Sequence, residues 1–351
     1  MGEMPSKRPP LRGAVTIQEV ARRAGVSTAT VSRAIALPDR VTDATREAVF
    51  AAIRETGYTP NAAARNLRAK TTKMVLVLLP GIGNSFFTPI LNALEEVFSA
   101  AGYGVLIGYT RQDKSRETHY ARVIRAGQVD GVLLVTGHLP RDEEFTHFPY
   151  TVPVSLILSE IPGHNGFSVF DVENRKAGRT MTEYLISLGH RRIAHIAGPS
   201  LNPEANERAA GYREALEAAG IPFDGSLLWT GAGNFDFAAG EAAARRYLDM
   251  NDRPTAVFAA ADETAFGFMR ALKTEGVSIP RDVSVVGFDD TEFAYHYDPA
   301  LTTMRQPRTE TGRLAAQDLL RRMQANGEGS ETVRVRLPCE LVIRESARRM
   351  G

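Results

Sequence analysis

The chain has 351 residues, of which 43% are hydrophobic and 24% charged, as in a soluble globular protein of two or three domains. No apolar run approaches the roughly 20 residues that span a bilayer, and the basic N-terminus lacks the apolar core of a secretory signal. The single Cys339 excludes an intramolecular disulfide. Residues 1–70 contain 12 basic and 6 acidic side chains, whereas the whole chain has a net charge of only +1. A basic segment ahead of a mildly acidic body indicates that this segment meets a polyanion.

Two short helices are predicted after a disordered arm over residues 1–15. Apolar side chains from Ile17 to Ala24 recur at i, i+3, i+4 and i+7, the spacing of one buried helical stripe. Gly25 follows, where a tight turn with positive φ costs least, and Ser27 can cap a second helix. Two helices at this spacing are typical of a helix-turn-helix, whose second helix enters the major groove of DNA. An ordinary helical hairpin would show much of the same apolar pattern.

A third helix is predicted to begin with Thr42 or Asp43 as its cap and to end near Gly57. It completes a three-helix head over residues 16–60. A short basic helix former follows over residues 61–72. This segment is either a plain linker or a hinge helix that folds on DNA.

From residue 73 onwards, apolar strands alternate with amphipathic helices, which predicts a doubly wound α/β architecture. Strands are predicted at 74–80, 104–109, 132–135, 152–158, 191–198, 255–260 and 283–290. Helices are predicted at 88–101, 116–126, 174–188, 206–219, 236–250 and 263–275. The pattern repeats, so two lobes with parallel sheets are expected. A ligand cleft between them would lie at the carboxyl ends of the strands.

These segments together resemble the LacI/GalR family of bacterial transcription regulators. The resemblance runs from Thr16 to Ser346 and rests on TIQEVARRAGVSTATVSR, SLGHRRIAHIAGP, RAAGYREAL, VSVVGFDDTEFA, LTTMRQP and LPCELVIRES. It implies an all-α helix-turn-helix head and a two-lobed body similar to periplasmic binding proteins over residues 73–346. The first lobe would take about 73–170 and 304–333, and the second about 171–301 and 334–346.

The resemblance also implies partners. The protein would be a cytoplasmic, nucleoid-associated homodimer on a pseudo-palindromic operator, with no membrane contact, and a small-molecule effector would switch its affinity for that operator. Thr28, Ala29 and Arg33 would read base edges, and an arginine suits bidentate bonding to guanine. Leu67 matches the position of an intercalating leucine. The full set of expected DNA-binding residues is Thr16, Ser27, Thr28, Ala29, Thr30, Ser32, Arg33, Asn61, Ala64 and Leu67.

For the effector, Arg208 matches the arginine that grips hydroxyl groups or a carboxylate, and Asp289 can accept two hydroxyl protons. Asp290 is expected to be structural. Ala261 stands where the family often has an asparagine, which Glu263 can replace. The full set of expected effector-binding residues is Phe86, Phe87, Thr136, Arg208, Phe235, Asp262 and Asp289. The expected effector is a sugar, a sugar acid or a nucleoside.

No catalytic, cofactor or metal site is predicted, because the chain contains no GxxxxGK[ST], HExxH or GxSxG motif. Two alternatives remain. A solute-binding protein for transport shares the two-lobed body, although the basic head and the missing signal peptide argue against it. A regulator whose body docks a phosphocarrier protein keeps the head. The sequence also leaves open whether the ligand releases the protein from DNA or promotes binding.

Overall fold

A computed structural model describes residues 15–59, 71–81, 83–110, 113–140, 152–161, 166–230, 234–325 and 331–351. The chain divides into two compact units, Met1–Thr71 and Thr72–Gly351. The expected hinge residues Asn61, Ala64 and Leu67 lie outside the described residues, as does most of the expected N-terminal arm.

The first unit contains the three predicted helices, α1 (Ile17–Ala24), α2 (Thr28–Ala36) and α3 (Asp43–Thr56). Gly25 ends α1 in the left-handed conformation, with φ 66°. Ser27 caps α2, and Thr42 rather than Asp43 caps α3. The six side chains that form the buried centre of this head come in pairs from the three helices, and they are Val20, Ala21, Val31, Ala34, Val49 and Ala52.

The second unit contains twelve strands and eight helices among its described residues. The strands are β1 (Met74–Leu79), β2 (Gly104–Tyr109), β3 (Gly131–Leu134), β4 (Val154–Ile157), β5 (Ser168–Val172), β6 (Ile193–Ala197), β7 (Leu228–Thr230), β8 (Ala256–Ala259), β9 (Ser284–Val286), β10 (Thr303–Arg305), β11 (Arg334–Leu337) and β12 (Glu340–Val342). The helices are α4 (Thr88–Ala100), α5 (Lys114–Arg125), α6 (Asn174–Ser187), α7 (Pro203–Ala218), α8 (Phe237–Asp249), α9 (Asp262–Thr274), α10 (Glu292–His296) and α11 (Arg308–Gln324).

Two parallel sheets define the two lobes of this unit. The first lobe has six strands in the order β11-β5-β4-β3-β1-β2, and the second has four in the order β7-β6-β8-β9. A short antiparallel pair, β10 and β12, contributes Met304 and Leu341 to the core of the second lobe. The predicted two-lobed architecture is confirmed.

One expected boundary differs from the structure. Residues 334–346 were assigned to the second lobe, but Arg334–Leu337 pair in parallel with β5 and so complete the first sheet. The chain therefore crosses between the lobes three times, at 172–174, 305–308 and 337–340. The expected strand over 283–290 is also shorter, because Asp289 and Asp290 have φ values of 124° and 52° and leave the extended region.

Close helix packing in the second lobe depends on glycine. On α6 and α7, a Cβ at Gly178 or Gly211 would overlap the backbone of the opposite helix. The two helix axes can therefore approach closely. This approach brings the first turns of α6 against the middle of α7, and Arg208 lies in that region.

Candidate DNA-binding and ligand-binding sites

The exposed face of α2 begins at its cap. The Ser27 hydroxyl accepts a hydrogen bond from the Thr30 amide at 3.1 Å, and the two hydroxyl oxygens are 2.9 Å apart. Thr28, Ala29 and Arg33 are exposed next to this cap, while Val31 is fully buried. The first two turns of α2 thus present small side chains and one long cation to solvent.

Arg33 differs from the arginines of α1 in its partners. Glu19 forms ion pairs with Arg22 at 2.6 Å and Arg23 at 3.1 Å, and these guanidinium groups lower the pKa of Glu19 to about 2. Within the part of the chain that the structure describes, no carboxylate pairs with Arg33. Its guanidinium is therefore available to an external acceptor. Thr16, at the N-terminus of α1, is also exposed.

Arg208 forms the centre of the second expected site. Its side chain is 6% exposed and lies on α7, at the carboxyl ends of β6 and β8. The Nε group donates to the Asn174 side-chain oxygen at 2.8 Å, and Nη1 donates to the Ala260 carbonyl oxygen at 2.6 Å. The guanidinium carbon is 3.8 Å from the centre of the Phe288 ring. These contacts fix the guanidinium plane at the point where the strand order of the second sheet reverses, the usual ligand position in such sheets.

Phe235 and Asp289 lie beside Arg208. The Phe235 ring centre is 5.5 Å from the guanidinium carbon, and the ring packs where a Cβ at Gly198 would overlap it. Asp289 is 8% exposed and accepts a hydrogen bond from Gln306 Nε2 at 2.7 Å. Burial raises the pKa of Asp289, while Arg208 and Arg308 oppose that shift. An aromatic face, a cation and a carboxylate thus meet at one place, as the sequence predicts.

Asp262 occupies a different position from the expected one. Its side chain is fully buried; one oxygen accepts from the Thr291 amide at 2.7 Å, and the other accepts from the Thr303 hydroxyl at 2.6 Å. A Cβ at Gly287 would overlap this carboxylate, so glycine is needed there. Asp262 therefore connects Thr291, before α10, to Thr303 in β10, and its complete burial leaves it no exposed surface for a ligand. Asp290, expected to be structural, pairs with Arg344 at 2.6 Å and Arg305 at 2.7 Å.

The three expected residues of the first lobe follow strands β1 and β3, which are neighbours in the sheet. Phe86 and Phe87 pack edge to face with ring centres 5.1 Å apart, and both contact the core. Arg308 connects Phe86 to the second lobe, since it donates to the Phe86 carbonyl at 3.3 Å and to the Asp290 carbonyl at 2.7 Å. The Thr136 hydroxyl donates to the His138 carbonyl within its own turn. No described contact links Phe87 or Thr136 directly with Arg208.

Several groups near Arg208 were not predicted from the sequence. Asn174 and Gln306 hold Arg208 and Asp289 from 34 and 17 residues away. Glu204 is 7% exposed and stands one helical turn before Arg208 on α7. Only its spacing of four residues from Arg208 is visible in the sequence, and that spacing also occurs on any solvated helix.

Comparisons with known proteins match this arrangement. The profile of the bacterial regulatory proteins of the lacI family matches residues 16–61, and that of the periplasmic binding protein-like domain matches residues 182–347. The HTH-type transcriptional repressor CytR of Escherichia coli (strain K12) is 37% identical over 337 residues, which cover 95% of this chain and 97% of CytR. The chain belongs to the lacI family of bacterial regulatory proteins. Other similar members include the HTH-type transcriptional regulator CelR of Thermobifida fusca, which is 37% identical over 94% of this chain and 98% of CelR.

Solved structures of lacI-family proteins have the same fold. The complex of the transcriptional regulator CelR with cellobiose has a TM-score of 0.71 at 36% identity, and it covers 95% of this chain and 99% of CelR. The lac repressor dimer bound to operator and the anti-inducer ONPF has a TM-score of 0.82 at 28% identity, over 95% of this chain and 99% of the repressor chain. This lacI-family chain is a DNA-binding transcription regulator of the ligand-switched class. Among its described residues, no helix combines the length and apolarity needed to cross a bilayer.

Proposed function

We propose that this regulator is a cytoplasmic repressor that binds a pseudo-palindromic operator as a homodimer and is not an enzyme. Thr28, Ala29 and Arg33 on α2 read base edges, while Ser27 and Thr30 position the helix on phosphates. The head over residues 16–60 and the hinge over 61–72 act together, with Leu67 as a wedge in the minor groove. The lac repressor dimer solved on its operator supports this proposal.

The second part of the proposal concerns the switch. A sugar, sugar acid or nucleoside binds around Arg208, Phe235 and Asp289 and changes the affinity for the operator. The observation that carries it is the geometry of Arg208: Nε and Nη1 bind protein groups, which fixes the guanidinium with the Phe235 ring centre 5.5 Å from its carbon and leaves Nη2 for a ligand. Rings with several hydroxyl groups suit such a site, since the ring stacks while hydroxyls pair with both charges. CelR, solved with cellobiose, supports the assignment.

The test replaces Arg208 with Met, which keeps much of the side-chain volume and removes the guanidinium. An operator is first selected from random DNA duplexes with the wild-type dimer, and ligands are found by thermal shift against sugars, sugar acids and nucleosides. Arg208→Met should bind the operator as wild type does but lose the ligand-induced change in affinity. The control is Arg213→Met, an exposed position on the same helix. A normal ligand response in Arg208→Met would contradict the proposed site.

A further inference from the structure

Acidic side chains are unusually concentrated around Arg208. Asn174, which accepts from Arg208, donates to Asp171 at 3.3 Å, and Glu204 stands one turn before Arg208 on α7. Asp289 follows Phe288, whose ring lies against the guanidinium, and Glu263 adjoins Asp262 at the start of α9. Asp171, Glu204 and Asp289 are each at most 8% exposed, so water screens their charges poorly. Asp262 adds a fifth carboxyl group near Asp289.

The positive charges nearby are already engaged. Arg208 uses two of its donors in hydrogen bonds to protein groups, and one face of its guanidinium lies against the Phe288 ring. Arg308, which lies near Asp289, donates to two backbone carbonyls, and Arg336, which lies near Asp171, pairs with Glu160 at 3.0 Å. Among the described residues, buried carboxyl groups therefore outnumber the arginines beside them, and those arginines have few donors left for an incoming anion.

A buried acceptor without a donor gives a second, independent indication. Gln306 is 3% exposed, and no described residue donates a hydrogen bond to its Oε1 atom. The amide orientation is determined, because Nε2 donates to Asp289 and the reverse orientation would place two oxygens against each other. Buried acceptors are normally satisfied, so this atom calls for a hydrogen-bond donor from outside the protein.

We infer that the ligand is uncharged or cationic, that it presents several hydroxyl or amino donors, and that sugar acids and phosphorylated compounds are rejected. The inference rests on the proposed ligand site at Arg208 and narrows its ligand class. Donors from the ligand would satisfy Gln306 Oε1 and the carboxylates together. A ligand carboxylate or phosphate would instead face Asp289, Glu204 and Glu263 at close range.

The pKa values of Glu204 and Glu263 agree with this arrangement. Burial raises the pKa of Glu204 to about 7, with Asp171 adding to the shift and Arg208 opposing it. Burial also raises the pKa of Glu263 to about 7, with Asp289 and Asp236 adding to the shift. Both carboxyl groups hold protons near neutral pH, because burial outweighs the groups that stabilise the charged form, which for Glu204 are its own amide, the Asn202 side chain and Arg208. A ligand that supplies donors or positive charge displaces those protons.

One arm of the test needs no ligand. A folded Glu204 keeps its proton to about pH 7, whereas an unfolded glutamate loses it near 4.5, so this group destabilises the folded protein progressively as the pH rises between those values. Glu204→Gln should therefore melt at a higher temperature than wild type at pH 8 and at a similar temperature at pH 5. Glu207→Gln, an exposed change on the same helix, should follow wild type at both pH values. A lower melting temperature of Glu204→Gln at pH 8 would show that the folded protein stabilises the Glu204 anion, and would overturn the inference.

The other arm compares neutral and cationic probes with anionic counterparts that keep the same ring. The panel is glucose, glucosamine and glucuronate; ribose and ribose 5-phosphate; and the four ribonucleosides with their 5′-monophosphates. We expect a neutral or amino compound to raise the melting temperature and its anionic counterpart to leave it unchanged. Calorimetry of the binding compound in buffers of different ionisation enthalpy should show proton release.

The outcomes distinguish failure of the charge inference from failure of the proposed ligand site. If an anionic probe stabilises the protein more than its neutral partner, and Arg208→Met abolishes the effect, the charge inference is wrong and the proposed site stands. If Arg208→Met leaves stabilisation by any probe unchanged, or if no probe stabilises the protein, the proposed site loses its support together with the inference.

Discussion

The contact between α6 and α7 offers a direct test of how the fold positions Arg208. A Cβ at Gly211 would overlap the Arg175 carbonyl oxygen and lie 2.6 Å from the Arg179 amide nitrogen. Ordinary contact needs about 3.4 Å, so the helices in Gly211→Ala must separate locally by at least about 0.8 Å. Both neighbours are backbone atoms, so no side-chain rotation can relieve the overlap.

This separation has two consequences. Overpacking of a well-packed core typically costs about 1–3 kcal/mol, which corresponds to roughly 2–12 °C in the melting temperature of a unit of this size. In addition, the hydrogen bond from Arg208 to Asn174 would lengthen from 2.8 Å to about 3.6 Å, beyond a normal hydrogen bond. Gly211→Ala should thus be less stable and also bind its ligand more weakly.

The assay is thermal unfolding with and without the ligand identified in the screen, together with operator binding. Gly225→Ala is the neutral control, because the added Cβ would lie 3.9 Å from its nearest neighbour, on Phe223. Gly312→Ala is the control for stability, because it strains a helix contact in the first lobe, where the Cβ would lie 2.8 Å from the Ile90 carbonyl oxygen. If Gly211→Ala loses no more ligand affinity than Gly312→Ala at equal stability, close packing at Gly211 does not position Arg208.

Three further predictions concern the DNA-binding segments. Ser27→Ala removes the cap of α2 and should lower the free energy of unfolding of the head by about 0.5–2 kcal/mol. The measurement is the urea midpoint for the loss of helical circular dichroism from the head, and Thr28→Ala, at an exposed position, is the control. Arg33→Ala should reduce discrimination between operator and mutated operator by about 1–3 kcal/mol per half-site without loss of dimerisation; unchanged footprints would refute the assignment. Leu67→Ala should reduce operator bending and specific affinity more than non-specific affinity, and an unchanged bend in circular permutation gels would remove the wedge role.

The helices and buried strands were predictable because their signals are local. Apolar spacing, Gly25 and Ser27 lie within a few residues of one another, so α1 and α2 were found with their caps. Helix α11 also has apolar spacing, with Ala315, Ala316 and Leu319 buried, but it was not predicted. Strand β5 was missed for a different reason, since its short apolar run includes Asp171 and becomes a strand through pairing on both sides.

The ligand site was predictable only in part. Arg208, Phe235 and Asp289 were placed by resemblance, and the structure brings them together. The position of Asp262 depends on Thr291 and Thr303, which lie 29 and 41 residues away, so its complete burial had no local signal. The same holds for Gln306 beside Asp289. Sequence patterns identify which polar groups follow strands, but distant partners determine which of them face a ligand.

The pairing of β11 with β5 also affects how the chain folds during its synthesis. Residues 334–337 complete the first sheet, yet they are synthesised after all the other strands of that sheet. Until then β5, whose five residues are all buried in the finished protein, is an open apolar edge during translation. Nascent or C-terminally truncated chains should therefore depend on chaperones and aggregate readily. Neither lobe corresponds to a continuous segment, so producing either lobe separately requires joining segments that are distant in the sequence.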